Sequence, residues 1–404
     1  MTVLGGLVRW LKLSTLVLLL TICISESPHQ AFRGSTANGS HARGTVEDVE
    51  HLRRYSALHL RLLLAFARLP AHIAVENGTD LYRVSYWTQH LDRPELASGL
   101  LALPRGRAPR ATVMWLNGTN PTRSEAPSMR STTGLFVSAS FAGSGFLLLA
   151  PDYVGLGLSK TYHPYLYAET TAESAIDFVR AAQSVCARLG VPWRPALLLV
   201  GYSEGGYATA VVQRAFEKAP QSDVSVRGAA ALAPPLNLAD ISVPRAFEGQ
   251  SGGDSMYLAF LANAYANTYG HPLKSILTDD AARLVSQLFD GLHSADDIMA
   301  KLPKNPREMF RPDTLAAFSE DRASWFRDAL RANEAYQWAP QAPLRLYYGD
   351  RDVDVYPDDP KRGAKEMESR GGNVSLVPVG PYDHTGVVLH AVPRVQAWFK
   401  QLAP

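Results

Sequence analysis

Cysteine is nearly absent from the 404-residue chain, which holds only Cys23 and Cys186. Cys23 falls in an N-terminal segment expected to be removed, so the remaining chain keeps one thiol and no intrachain disulfide is possible. The fold must be held by its core, which suits an exported domain of ordinary size better than a small stapled module. An excess of charge of either sign is also missing. The 40 basic residues fall to 38 once Arg9 and Lys12 leave with that segment, equal to the 38 acidic ones. A neutral chain has no overall attraction for nucleic acid or anionic lipid, so no nucleic-acid partner is expected. Long apolar runs are lacking except Leu13 to Ile24, which follows Arg9 and Lys12 and is too short to span a bilayer. It reads as a secretory signal, with small residues at Cys23 and Ser25 for cleavage before Glu26 and a secreted or periplasmic protein as the result. An uncleaved anchor is the alternative, and a lipoprotein reading through Cys23 is weakened by bulky Ile22. No H-E-x-x-H or clustered Cys/His spacing occurs, and no P-loop or G-x-G-x-x-G follows a strand, so neither a metal nor a cofactor is expected.

What is present is ordinary globular composition, 46% hydrophobic and 19% charged, which excludes disorder and collagen-like repeats. Residues 1–25 are assigned to the signal and the polar, glycine-rich residues 26–45 to a flexible linker. From Val46 to Leu69 apolar residues fall at helical spacing (Leu52, Tyr55, Leu58, Leu62, Leu63, Phe66), predicting one helix. Leu81 to His90 and Leu96 to Leu103 read as a hairpin. From there short apolar runs alternate with helical stretches: Thr112 to Leu116, Gly145 to Ala150, Ala196 to Val200, Gly228 to Leu232, Leu344 to Tyr348 and Val374 to Val379. Such runs predict buried parallel strands in an α/β sheet flanked by helices, clearest at Ala172 to Leu189, Tyr207 to Ala219 and Val387 to Leu402. The interval between Leu232 and Leu344 is far longer than a crossover needs. Residues 236–341, with helical patterns at Met256 to Tyr265, Asp280 to Phe289 and Asp321 to Trp338, are therefore assigned to an inserted helical cap. Residues 46–235 and 342–404 form the two parts of the core around it.

Gly201-Tyr202-Ser203-Glu204-Gly205-Gly206 matches G-x-S-x-G. The buried-strand run Leu197 to Val200 precedes it, and Ala208, Val211, Val212, Ala215 and Phe216 form one apolar helix face after it. Strand, sharp turn and helix hold a serine hydroxyl out at the top of a sheet, with glycines where no Cβ fits. Ser203 is thus the candidate nucleophile. A serine hydroxyl is too weakly acidic to act unaided and requires a general base, itself oriented by a carboxylate. His384 follows the last strand in what reads as a loop, whereas His390 lies inside the final helix. His163 is kept only as a possible pocket residue. Asp350, Asp352 and Asp354 all follow a strand in the order nucleophile, acid, base. Asp383 is disfavoured because neighbours in an extended loop point apart. Two backbone amides must receive the oxyanion. One is assigned to Glu204, at a helix N-terminus, and the other to Thr119, with Gly118 allowing close approach after the Thr112 to Leu116 strand. Asn117-Gly118-Thr119 is also a glycosylation sequon, as are the sequences at Asn38, Asn77 and Asn373.

Over residues 80 to 400 the chain resembles the α/β-hydrolase superfamily, and more narrowly the secretory lipases known from fungi and their bacterial relatives. The resemblance rests on Gly201 to Gly206, on Pro151-Asp152-Tyr153-Val154-Gly155-Leu156-Gly157-Leu158-Ser159 leading to His163-Pro164-Tyr165-Leu166, on Asn117-Gly118-Thr119, and on the Asp352 and His384 segments. It implies that the acid lies in a G-x-x-D spacing, which Gly349 to Asp352 reproduces and which, with its place in the loop, selects Asp352. It also implies hydrolysis of carboxylic esters beneath a helical cap. The chain departs from the usual His-Gly oxyanion motif by having Asn117 before Gly118. The expected activity is that of a secreted serine lipase or carboxylesterase acting on a small-molecule or lipid ester, with transient contact at a lipid interface. A serine peptidase or amidase on the same fold is the alternative, and no oligomeric state follows from the sequence.

Overall fold

The computed structural model describes residues 32–33, 41–66, 73–220 and 223–403. The expected signal, residues 1–25, lies outside the described residues, as do most of 26–40. The strands are β1 (Phe32–Arg33), β2 (Val46–Tyr55), β3 (Thr79–His90), β4 (Arg93–Pro104), β5 (Thr112–Leu116), β6 (Leu147–Pro151), β7 (Ala196–Tyr202), β8 (Ser225–Leu232), β9 (Leu344–Gly349) and β10 (Val374–Gly380). They form one sheet in the order β1-β2-β3-β4-β6-β5-β7-β8-β9-β10. From β6 to β10 every pairing is parallel, and the other edge, β1 to β4 up to β6, is antiparallel.

The helices are α1 (Ala57–Phe66), α2 (Thr132–Ser140), α3 (Ala168–Arg188), α4 (Glu204–Lys218), α5 (Val243–Ala246), α6 (Asp254–Tyr269), α7 (Asp279–Leu288), α8 (Ala295–Lys301), α9 (Pro312–Ser319), α10 (Trp325–Ala332), α11 (Asp358–Ser369) and α12 (His384–Leu402). Alternate strand residues feed opposite faces, as the pleat requires. Met114, Leu116, Leu197 and Leu199 pack with α3, α4 and α11, whereas Val113, Trp115, Leu198 and Val200 pack with α1, α2 and α12. Burial on both faces explains why these strands read as unbroken apolar runs.

Three expectations need correction. The helix predicted from Val46 to Leu69 is strand β2 followed by the shorter α1, with residues 67–69 outside the described set. The register of β2 on β3 shifts between Val46 and Asp48 and again between His51 and Arg53. Each bulge inserts a residue, so Val46 and Val49, three apart, share the face that Tyr86 and Val84, two apart, present. A bulged strand thereby imitates helical spacing. Within the expected linker, Phe32–Arg33 pairs with Val49 and Asp48, and Arg43 is salt-bridged to Glu173 and Asp177. Finally, the pattern from Asp321 to Trp338 yields only α10, capped by Ser324, whose hydroxyl accepts from the Arg327 amide, and ended at Asn333.

The interval between β8 and β9 holds α5 to α10. Helix α6 is buried almost all round, from Asp254 to Ala266, because it lies between the sheet's carboxyl-terminal edge and the remaining helices of the interval. That edge also carries the segments leaving β5, β7, β9 and β10, the usual place for a ligand in an open α/β sheet.

Candidate active site

Ser203 leaves β7 with φ 58° and ψ −120°, a left-handed backbone that a side chain adopts only when its surroundings hold it there. They do so through backbone. A Cβ at Gly201 would lie 2.1 Å from the Gly205 carbonyl oxygen, and one at Gly205 would lie 1.8 Å from the Leu116 oxygen. No side chain fits at either position, so the chain turns tightly from β7 into α4 and leaves the Ser203 hydroxyl at the mouth of a pocket.

His384 opens α12, correcting the expectation of a loop. Asp383 is its cap, accepting at 2.8 Å from the Gly386 amide, so the hydrogen bond of this acid goes to the helix and not to the imidazole beside it. His384 Nε2 lies 2.9 Å from Ser203 Oγ, and its Nδ1 lies 2.8 Å from Asp352 Oδ2. Asp352 Oδ1 accepts from the amides of Asp354 and Val355 at 3.0 and 2.9 Å, which fixes the carboxylate's orientation. Ser203, Asp352 and His384 are all buried. Burial opposes a charged imidazole at His384, but Asp352, with Asp354 and Asp383 behind it, outweighs burial and pushes the pKa up to about 9. Gly349 has a clear role in the spacing, since a Cβ there would meet the Tyr382 carbonyl oxygen at 2.3 Å. The segments carrying Asp352 and His384 cross at that point, tied by Asp350 N to Gly380 O at 3.0 Å and Arg351 N to Tyr382 O at 3.1 Å.

The rival residues go elsewhere. Asp350 is exposed. Asp354 turns toward the interval helices, accepting from Ser251 Oγ at 2.8 Å and Tyr257 OH at 3.0 Å. His390 stacks on Tyr382 with ring centres 3.9 Å apart.

After β5, Gly118 passes close to the nucleophile: a Cβ there would be 3.1 Å from the Tyr202 oxygen and 3.6 Å from Ser203 Cβ. The Thr119 hydroxyl is 2.9 Å from Tyr165 OH, and Tyr153 OH donates to the Asn117 carbonyl at 3.0 Å. The backbone amides of Thr119 and Glu204 bond to no group among the described residues. Asn117 is buried, with Trp115 Nε1 donating to its Oδ1 at 3.4 Å, so this sequon offers a glycan no room. Asn77 is buried likewise, whereas Asn373 is exposed.

A cleft opens beside Ser203, walled by Tyr165, Leu166, Leu238, Val243, Tyr257, Leu258, Leu261 and Val355, with Asp354 as its acidic group. The space open to a water-sized molecule is about 50 Å³, room for only a few waters. Of the aromatics of the interval, Tyr257 lines this cleft. Phe260 is stacked between Tyr165 and Phe289, with ring centres 4.7 Å from each, and Tyr265 OH donates to the Leu166 carbonyl at 3.0 Å. His163, kept from the sequence as a possible pocket residue, lines a small separate cavity with Tyr162, Phe260 and Phe289 and not the cleft beside Ser203, and it meets the Glu204 side chain, with Nε2 2.7 Å from Oε1. Sequence reading missed this contact, because the two residues share no element or local pattern.

A mostly parallel sheet with a serine elbow, a histidine and an acid at its carboxyl edge defines an α/β-hydrolase. Residues 124–402 match the secretory lipase family. The chain belongs to that family and is an ester hydrolase. Among solved structures it is similar to the rice cell wall degrading esterase LipA from Xanthomonas oryzae, with 25% identity and TM-score 0.80 over 90% of this chain and 100% of that one. It also shares its fold with Candida antarctica lipase A in its closed state, at 14% identity and TM-score 0.67 over 90% of this chain and 83% of that one. A search of curated proteins finds no match.

Proposed function

We propose that the chain is a secreted serine carboxylester hydrolase that works through a covalent acyl-enzyme. The observation that carries this reading is the unbroken contact from Ser203 Oγ to His384 Nε2 at 2.9 Å and from His384 Nδ1 to Asp352 Oδ2 at 2.8 Å. Nδ1 carries the hydrogen that Asp352 accepts, which leaves Nε2 bare to take the Ser203 proton as Oγ attacks the ester carbonyl. The charge that develops on the carbonyl oxygen is received by the amides of Glu204 and Thr119, and the absence of a side chain on Gly118 lets that backbone come close. His384 then returns its proton to the leaving alcohol. Water, deprotonated by the same imidazole, adds to the acyl carbonyl, and the imidazole returns that proton to Ser203 Oγ as the acid leaves. No step calls for a metal or cofactor.

The cleft wall is apolar, so the acyl group is the part of the substrate it takes. In the arrangement seen, the space beside Ser203 suits a short acyl chain. A long chain requires α5 or α6 to move, which is how an inserted cap would join substrate choice to a lipid surface. Residues 236–341 act as that cap in this reading, and residues 1–25 as the export signal.

Ser203→Ala is expected to abolish hydrolysis of nitrophenyl esters while leaving the thermal midpoint unchanged, with loss of at least about 10⁴-fold. Intact-mass detection of an acyl adduct on the wild-type chain, absent from the variant, tests the intermediate. A folded Ser203→Ala protein with wild-type turnover sinks the assignment.

A further inference from the structure

We propose that His163 is a positioning residue for the oxyanion site, holding the Glu204 side chain in a net-neutral pair so that the start of α4 offers donors to the substrate and not a bare negative charge. The inference rests on the reading of Ser203 and the Glu204 amide given above.

Glu204 follows the nucleophile directly, so its side chain leaves the same backbone unit whose amide faces the reacting carbonyl. That side chain is 4% exposed, as is that of His163, and its Oε2 has no hydrogen-bond partner among the described residues. A lone carboxylate there has two costs. Burial without compensation is expensive, and a negative charge beside the oxyanion site opposes the charge that the site exists to stabilise.

The hydrogen-bond pattern removes both. His163 Nδ1 is 2.8 Å from the Val154 carbonyl oxygen, which can only accept, so Nδ1 carries a hydrogen. The contact from Nε2 to Glu204 Oε1, 2.7 Å, then requires a second hydrogen between the two groups. Imidazolium with carboxylate, or imidazole with carboxylic acid, satisfies it, and either pair sums to zero charge.

The surroundings fix the ring. Gly155 has φ +83° and runs so near His163 that a Cβ would lie 2.3 Å from the His163 amide nitrogen. Tyr153 stacks on the imidazole with centres 5.7 Å apart, and its hydroxyl holds the Asn117 carbonyl just before Gly118. Phe260, from α6, packs against the imidazole at 5.5 Å. One side chain therefore touches the start of α4, the wall that braces the loop after β5, and α6.

The test is a double-mutant cycle in the full chain: His163→Gln, Glu204→Gln and the double variant. Its readouts are kcat and KM on nitrophenyl butyrate and the inhibition constant of an alkyl trifluoromethyl ketone, whose adduct with Ser203 places an oxyanion where the transition state does. His163→Gln is expected to lower kcat about 30-fold with KM within about twofold, and to weaken the ketone by the same factor as kcat/KM. The double variant, in which two neutral amides can pair, should recover at least about fivefold over His163→Gln. Loss of packing alone would give no such recovery. Should His163→Gln fail to fold, Glu204→Asp, which draws the carboxylate back from Nε2, must show the same joint fall in kcat and ketone affinity. Wild-type kcat and ketone affinity in His163→Gln, or a double variant no better than the single, overturns the proposal. An active Ser203→Ala protein would instead overturn the reading on which it rests.

Discussion

The carboxyl edge of the sheet and the helices that cover it are built by different means. At the edge, backbone meets backbone: the turn at Ser203 is shaped by contacts of Gly201 and Gly205 with carbonyl oxygens, and Asp352 is oriented by two amides. The cover is joined to the core mainly through side chains, with Arg123 N to Gly291 O at 2.9 Å as a backbone tie. Ser251 and Tyr257 donate to Asp354, Phe260 stacks on Tyr165, and Asp359 accepts from the Leu236 and Asn237 amides at 2.9 Å and from the Ser242 hydroxyl. Backbone contacts cannot be relaxed by a rotamer change, whereas a few side-chain bonds can be exchanged. Chemistry sits on the stiff part and substrate selection on the part with room to adapt.

The sharpest way to break this contrast is through two acids of one loop. Asp352→Asn is expected to lower turnover by about 10³- to 10⁴-fold, because the amide favours the wrong imidazole tautomer. Asp354→Asn should stay within about tenfold, since Asp354 is hydrogen-bonded to Ser251 and Tyr257 and reaches His384 only through its charge. Steady-state kinetics on one soluble ester decides it, and the reverse order of losses would place the acid wrongly.

The join itself is tested by stability. Asp359→Ala leaves two buried amides without their acceptor, at a cost of about 1–3 kcal/mol for each, and frees the half-buried Ser242 hydroxyl. Asp359→Asn keeps an oxygen for the amides and should cost clearly less. Burial pushes the Asp359 pKa up to about 7. A carboxyl whose folded pKa lies above its unfolded value stabilises the fold while protonated, so its contribution shrinks as pH rises toward and through 7. Denaturant midpoints at pH 6 and pH 8 should differ less in Asp359→Asn than in wild type.

The base gives a pH signature of its own. Because His384 must be neutral to act and its pKa is pushed up to about 9, kcat/KM should rise with pH along a limb centred there. Asp352→Asn removes the main raising cause and leaves burial, so the limb of its residual activity should move to lower pH. The ion pair's share of stability follows the same sign: present in full below the ordinary value of 6.5 and lost as pH passes through about 9. An unmoved limb in Asp352→Asn would show that the carboxylate does not act on the imidazole.

The same division governs what the sequence reveals. Ser203 and its glycines are a local backbone solution, so the motif, the strand before it and the helix after it stand together in the text of the chain. Strands β5, β6 and β7 are legible because burial on both faces leaves them almost wholly apolar, and β8 to β10 because each keeps a short apolar run. Strand β2 is not, since its two bulges move the apolar positions to helical spacing. Helix α10 is shorter than its apolar pattern because Asp321 turns left-handed at φ 53° before it and Asn333, at φ −104° and ψ 7°, caps its end, its side chain donating back to the Ala329 carbonyl. Asp350, Asp352 and Asp354 could not be ranked by composition or order alone. What separates them is the crossing of two loops at Gly349, a tertiary fact. The pairing of His163 with Glu204 spans 41 residues and joins elements with no shared periodicity.

The smallest expected effect is the most informative about the cover. Phe260 and Tyr265 are held in stacks and hydrogen bonds with the core, so altering them should cost stability before it changes selectivity. Tyr257 faces the cleft, and its hydroxyl reaches Asp354. Tyr257→Ala removes a wall and one bond of the join together. Its expected effect is a rise of about tenfold in the rate on nitrophenyl octanoate relative to acetate, the scale on which added methylene room changes discrimination. Tyr257→Phe keeps the wall and loses only the bond, so it should leave the octanoate-to-acetate ratio within about twofold if pocket volume sets chain length. A matching rise in Tyr257→Phe would mean that the bond to Asp354, by holding α6 down, limits the acyl chain. Measuring both variants on tributyrin and triolein across their solubility limits then separates the cases: a released cover should steepen the response to droplets, and a merely widened pocket should not.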